Sequence, residues 1–372
     1  MCVSLYFIIL FINSEFLNEY HKRLELSFFE ENQIDYYQTL GMMAGLILLM
    51  ISFKFIKLKH ILLIPAALYL LSIIGIIFTN VTQLSNMGYY FLYSLSITLI
   101  GVSILSDTMC HGSVKANIKL FLLTAIYVVT YFFIKAQSSP PYDNTEFDLI
   151  DVFTANVIPV ILFVIVLIKL SAFEEINFNE EDNFLTIVKN AELEIITGFS
   201  LFYILAIVVD GYYLYSTTDF IYSIINKNEV PYILLGLLPV FGLVLFLFEK
   251  LGIHKLNITA ITTMLLLFAG MSYLGKHAIL AVIFWSALII AFYTLFAGGI
   301  SLLSQKFDGA DCKTAILLYF MAGFIGNYCG YITTKSYETI LDEGVFLIPI
   351  YFVLFTLLVY YAYLFNKRKL YR

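Results

Sequence analysis

Apolar runs long enough to cross a bilayer decide what this chain can become. Twelve can be traced, near residues 3–20, 38–56, 61–79, 87–106, 117–136, 149–170, 195–215, 231–248, 256–275, 278–303, 313–334 and 345–365. They fall six and six around one acidic stretch that holds Glu174, Glu175, Glu180, Glu181, Asp182, Glu192 and Glu194. A spanning helix needs about 20 mainly apolar residues, so twelve use roughly 240. Little of the 372-residue chain is then left for connections. Only 13% of the residues are charged, about half the share of a soluble domain, too few for a water-facing surface. Runs such as 160–168 are continuously apolar, whereas barrel strands alternate apolar and polar residues. The expected class is an all-α polytopic membrane protein, with each backbone polar group satisfied inside its own helix.

The first run is the weakest, because residues 3–12 are short and Glu15 and Glu19 follow quickly. It has the length of a signal-peptide core but no preceding basic residue and no small-residue cleavage site, so it is read as a first, shallow or truncated span. Placing the N-terminus inside and counting twelve spans puts 15 of the 21 Lys and Arg on the cytoplasmic side. That bias is what the positive-inside rule expects for two cytoplasmic termini. The bilayer is the one partner read directly from composition. Neither nucleic-acid binding nor an oligomeric state has a signal here.

The division expected is a six-helix bundle over 1–170, an acidic cytoplasmic linker over 171–194 and a second six-helix bundle over 195–372. An echo supports it. The turn after the second run is basic, with Lys54, Lys57 and Lys59, and so is the turn after the eighth, with Glu249, Lys250, Gly252 and Lys255. Any short inside loop tends to be basic, but the two occupy equivalent places in the two halves. Pro65, Pro159, Pro239 and Pro349 fall inside runs, where they kink helices. Among the four cysteines no two form a C-x-x-C pair, so no metal or redox motif is supported.

Parallel repeats of six spans characterise major facilitator transporters, and the chain resembles that superfamily. Residues 249–255, Glu-Lys-Leu-Gly-Ile-His-Lys, are similar to its acidic–basic–x–Gly–x–x–basic turn. The resemblance implies that this turn contacts neighbouring helix ends and helps control opening. Residues 153–159, Phe-Thr-Ala-Asn-Val-Ile-Pro, resemble the Phe-x-x-Asn-Val-Pro stretch of the drug:proton antiporter branch, with one residue inserted. The departures are plain. The first-half turn lacks the glycine and the acid, the fourth run lacks an arginine, the fifth lacks a glycine–proline motif, and twelve runs stand where that branch has fourteen.

Candidate site residues are few. Asp210 follows the apolar stretch 201–209, late in the seventh run. A charge within the bilayer is expensive and is usually functional or paired, and a partly desolvated carboxylate can exchange a proton. Alternatively, Asp210 lies at the external interface and touches water. Tyr203, seven residues earlier, shares its helical face. Gly323, Gly326 and Gly330 follow Tyr319 as one stripe on the eleventh run, and G-x-x-x-G permits close helix approach. Asn327 beside the stripe, and Asn156 within the sixth-run motif, could meet a substrate. Trp285 invites an aromatic cage for a cation, against the plainer reading of aromatic residues, among them Tyr351, Tyr360, Tyr361 and Tyr363, as interfacial anchors. Gly298 and Gly299 invite bending of the tenth run.

The usual enzyme motifs are missing: no H-E-x-x-H, no G-x-S-x-G and no phosphate-binding G-x-x-x-x-G-K-[ST]. No cofactor or metal is called for. The five histidines, His21, His60, His111, His254 and His277, all fall in expected loops. The expected function is secondary transport of a small organic molecule, with protons as a candidate coupling ion and export as the first direction. Uptake of a nutrient or chelator, a membrane-embedded enzyme for lipid-linked substrates and a non-transporting member are the alternatives. The expected location is a bacterial inner membrane.

Overall fold

The apolar runs become helices wherever the structure, a computed structural model, describes them: residues 28–55, 58–78, 84–110, 184–208, 243, 246–247, 250–274, 278–338 and 347–370. The runs near 3–20, 117–136 and 149–170 lie outside these residues, as do most of that near 231–248 and residues 171–183 of the linker. In order, the helices are α1 (Phe28–Phe55), α2 (Leu58–Phe78), α3 (Leu84–Cys110), α4 (Phe184–Asn190), α5 (Glu192–Ala206), α6 (Ile253–Leu274), α7 (Ala278–Lys306), α8 (Gly309–Glu338) and α9 (Leu347–Leu370). No strand occurs among the described residues. Three of the helices contain stretches long and apolar enough to cross a membrane, Ile253–Gly270, Gly309–Thr334 and Leu347–Leu364.

Helix boundaries depart from the apolar runs where polar residues are good helix formers. α1 begins ten residues before the run near 38–56, through Glu30, Glu31 and Gln33. α5 begins at Glu192, so the last three residues assigned to the linker belong to a helix. Pro65 lies inside α2, which stays helical through it. Pro349 is the third residue of α9, a position whose N–H has no partner within the helix in any case.

α1, α2 and α3 belong to one unit, and α4 to α9 to another. In the first, α3 packs on both α1 and α2. Its core is built from Leu46 and Leu49 of α1, Tyr69, Ile73 and Ile76 of α2, and Tyr90, Leu95 and Leu99 of α3. α1 meets α3 through a second G-x-x-x-G. A Cβ on Gly41 would strike the carbonyl oxygen of Phe91, and one on Gly45 would lie 3.0 Å from Thr98 Cβ. In the second unit, α5, α6, α7 and α9 share a core that includes Leu201, Ile204, Ile261, Met264, Leu288 and Leu354.

Outward-facing side chains in the second unit are largely apolar. On α9, Ile348, Phe352, Phe355, Val359 and Tyr363 are all exposed and recur every three or four residues, a single stripe along one face. A stripe of this kind would be an aggregation hazard in water and is the expected surface in lipid. The protein is an integral membrane protein.

Candidate functional site

The α5–α8 pair carries Tyr203, Asn327 and the three glycines of the stripe. Its helices touch because α8 presents glycine at each crossing level. A Cβ on Gly323 would come within 2.6 Å of the Phe202 ring, one on Gly326 would strike the Phe199 carbonyl, and one on Gly330 would lie 2.5 Å from the Tyr203 carbonyl. Gly198 of α5 answers from the other side, its missing Cβ standing 2.8 Å from the Tyr319 carbonyl. Any larger residue forces these backbones apart.

That contact brings an aromatic pair of α5 beside a hydroxyl of α8. Tyr203 stacks on Phe199 with centroids 6.0 Å apart and planes inclined by 11°. Its hydroxyl is 3.2 Å from Thr333 Oγ1 of α8. Thr333 donates to the Cys329 carbonyl at 2.8 Å. With its one hydrogen so used, it accepts from Tyr203. On the same stretch of α8, Asn327, Tyr328 and Tyr331 are exposed. By helical spacing Asn327 and Tyr331 lie about 100° round α8 from Gly326 and Gly330, and Tyr328 lies on the side away from α5. Beyond Tyr203 the regular turns of α5 end, and Ile207–Val208 continue as a π turn, a widening found often at functional sites. Asp210, Asn156, Lys57 and Glu249 lie outside the described residues. So does the side chain of Trp285, whose backbone belongs to α7.

The two basic turns are tight. α1 ends one residue after Lys54, and Lys59 is the second residue of α2. In the second turn Lys250 Nζ sits 4.6 Å above the Phe246 ring, a cation–π contact. Gly252 has φ +79°, a left-handed conformation that strains residues with a Cβ. Among the described residues nothing lies within 4 Å of its missing Cβ, and the backbone conformation is what requires the glycine. Lys255 is exposed.

A buried polar seam was not legible in the sequence. Glu194, assigned to the acidic stretch, is 0% exposed. Both its oxygens accept from Lys306 Nζ of α7, at 2.7 and 2.8 Å, and the same ammonium donates to the Asn190 carbonyl at 3.0 Å. One cation therefore holds the C-terminal carbonyl of α4 and a carboxylate in the first turn of α5. One turn further, Thr197 donates to the Leu193 carbonyl at 2.7 Å and lies 3.1 Å from Tyr361 Oη. Asn257 Nδ2 donates to the same Tyr361 oxygen at 3.1 Å.

The direction of this chain follows from counting hydrogens. Thr197 has given its only hydroxyl hydrogen to a carbonyl, so Tyr361 must donate to Thr197. Tyr361 then has an acceptor free, and the amide nitrogen of Asn257 fills it. Tyr361 is consequently an interior residue, 1% exposed, and not the interfacial anchor that its place near a span end suggested. His254 also departs from expectation. It belongs to the first turn of α6, and its ring centroid lies 6.5 Å from that of Tyr361. The signal that could have exposed the seam was the coincidence of Glu194, Asn257 and Lys306 near run ends predicted to share one membrane face.

No group of three or more His, Cys, Asp or Glu poised to hold a metal occurs among the described residues. No protein-family model matches the chain. An uncharacterized protein of Rickettsia prowazekii (strain Madrid E) is 25% identical over 195 residues, 52% of this chain and 51% of that one, so the match spans about half of that relative. Solved structures say more about architecture. A variant of the E. coli fucose:proton symporter FucP aligns with a TM-score of 0.66 at 12% identity, over 97% of this chain and 96% of its own. The proton:xylose symporter XylE, bound to 6-bromo-6-deoxy-D-glucose, aligns at 0.65 and 14%, over 98% and 94%. The chain has the major facilitator fold. At such identities the likeness carries the fold alone. Within that fold, the α5–α8 contact, the turn at Gly252 and the Glu194–Lys306 pair are features of this chain's own residues.

Proposed function

We propose that the protein is a secondary transporter that moves a small polar organic molecule by alternating access, with a proton as the coupling ion. The observation that carries this reading is the full-length likeness to two proton-coupled sugar symporters. Asn327 and Tyr331, exposed four residues apart on α8, offer a carboxamide and an aromatic ring. Such groups suit a substrate that carries hydroxyls or amides on a compact apolar frame. Asp210 is the proposed proton carrier, one helical face with Tyr203 if α5 continues. The faint antiporter likeness in residues 153–159 pointed to export. The named neighbours are symporters, and they favour uptake. The basic-residue bias supports a bacterial inner-membrane location with both termini in the cytoplasm.

Counterflow and net flux in proteoliposomes, over a panel of sugars, polyols and amino compounds and with either sign of pH gradient, test the reading. Uptake accelerated by an inward proton gradient is the expected result. Asp210→Asn abolishes the gradient's effect while leaving substrate exchange. An unchanged pH profile removes Asp210 from the mechanism. Asn327→Ala raises the half-saturation concentration by roughly tenfold, the scale of one lost substrate hydrogen bond. Absence of any flux across the panel, in either direction, overturns the proposal.

A further inference from the structure

Two buried polar atoms in the second unit lack a hydrogen-bond partner among the described residues: Asn257 Oδ1 and Tyr319 Oη. Both residues are 0% exposed. Leaving such groups unpaired in an apolar interior is costly, and their placement is not random. α7 packs against α6, which carries Asn257, and against α8, which carries Tyr319. The two atoms lie over adjacent residues of α7. A Cβ on Gly298 would strike Asn257 Oδ1, and one on Gly299 would lie 3.2 Å from Tyr319 Oη. The double glycine is what lets α7 fit against both.

The two groups are also chemically complementary. The hydrogen count in the seam fixes the amide of Asn257 with its nitrogen on Tyr361, which leaves the oxygen as a pure acceptor. Donation down the chain Asn257–Tyr361–Thr197–Leu193 polarises the amide and strengthens that acceptor. Tyr319 Oη holds a hydrogen to give. Its ring packs against Phe296 of α7, 6.1 Å between centroids, and against Phe320 of its own helix, 6.0 Å.

We propose that Asn257 and Tyr319 form a state-dependent hydrogen bond across α7. In the present conformation the Gly298–Gly299 backbone stands against both atoms and both go unpaired. When α7 withdraws, Tyr319 Oη donates to Asn257 Oδ1, and the bond favours the alternate state. This rests on the transporter reading, since it needs two states to distinguish. It gives the double glycine a second role besides flexibility: the absence of two side chains makes room for a switch.

The test uses full-length protein in nanodiscs, with one spin label on each half at the membrane face of the α7–α8 turn. The distance distribution then reports the ratio of states. Tyr319→Phe and Asn257→Leu each shift the ratio roughly fivefold or more toward the conformation described above. The double variant shifts it no further than either alone. Gly298→Ala places a methyl group where the Asn257 oxygen sits and shifts the ratio the other way. Two populations that Tyr319→Phe leaves unmoved, or single shifts that add in the double variant, overturn the switch and leave the transporter reading standing. One population in every variant and at every pH overturns both. Should Asn257→Leu fail to fold, Tyr319→Phe alone decides, because it removes one oxygen and keeps the ring.

Discussion

The two units solve the same packing problem with one device, and their described hydrogen bonds show two further uses of buried polar groups. Each brings a pair of helices together through G-x-x-x-G, Gly41 and Gly45 in the first, Gly326 and Gly330 in the second. Buried polar groups are then put to two uses. In the first unit Ser72 donates to the Tyr69 carbonyl and Ser96 to the Leu92 carbonyl, each on its own helix. In the second, Glu194, Lys306, Asn257 and Tyr361 reach between helices. A hydroxyl that bonds its own backbone adds no tie between elements. A cross-helix bond fixes register, and here the ion pair does so at the cost of desolvating the Glu194 carboxylate, while Lys306 keeps partial access to solvent. The comparison teaches that close approach comes from missing side chains in both units, and that the cross-helix polar ties described in the second also specify which helix faces which.

The sharpest way to break that comparison is to remove the cation. Lys306→Met leaves Glu194 buried without a counter-charge, and the expected loss is about 3 kcal/mol, read as a lowered melting temperature of the purified protein. A variant that melts with the native protein would show the pair to be incidental. Next come the glycines. Gly326→Leu and Gly41→Leu are each expected to destabilise by about 2 kcal/mol through forced helix separation, and near-equal losses by denaturant titration would sharpen the claim that both units share one device. A large effect in one unit alone would break it. Thr197→Val strands the Tyr361 hydrogen and is expected to lower stability by about 1 kcal/mol. Ser72→Ala in the first unit is expected to change it by no more than about 0.5 kcal/mol, and a larger loss would mean that the serine ties helices after all.

Membrane class, helix content and the rough spans were legible because lipid imposes a length and a hydropathy that a sequence cannot hide. α2, α3, α6, α7 and α8 each fall within a few residues of an apolar run. The glycine stripe on α8 was legible for the same reason, as spacing on a regular helix survives into three dimensions. Boundaries were harder, because Glu and Gln extend α1 and α5 as readily as apolar residues do. The seam was illegible for a deeper reason. Glu194 looked like one acid among seven in a solvated stretch, and Tyr361 like one ring among several at a span end. Their meaning depends on Lys306 and Thr197, which lie 112 and 164 residues away from them in the chain. Pairing at that range is set by helix neighbours, and periodicity says nothing of who those neighbours are.

The α7–α8 hairpin has a consequence for how the chain sits in lipid. α7 has 29 residues and α8 has 30, so each is about 44 Å tall at 1.5 Å per residue. The hydrocarbon core is about 30 Å thick. Only Phe307 and Asp308 join the two helices, and Gly309, at φ +55°, turns the corner. Surplus height cannot be absorbed by a slack loop there. It must be taken up by tilt or by helix standing among the headgroups. Membrane thickness is therefore a mechanical input to this hairpin, applied directly to the helix that bears Gly298 and Gly299.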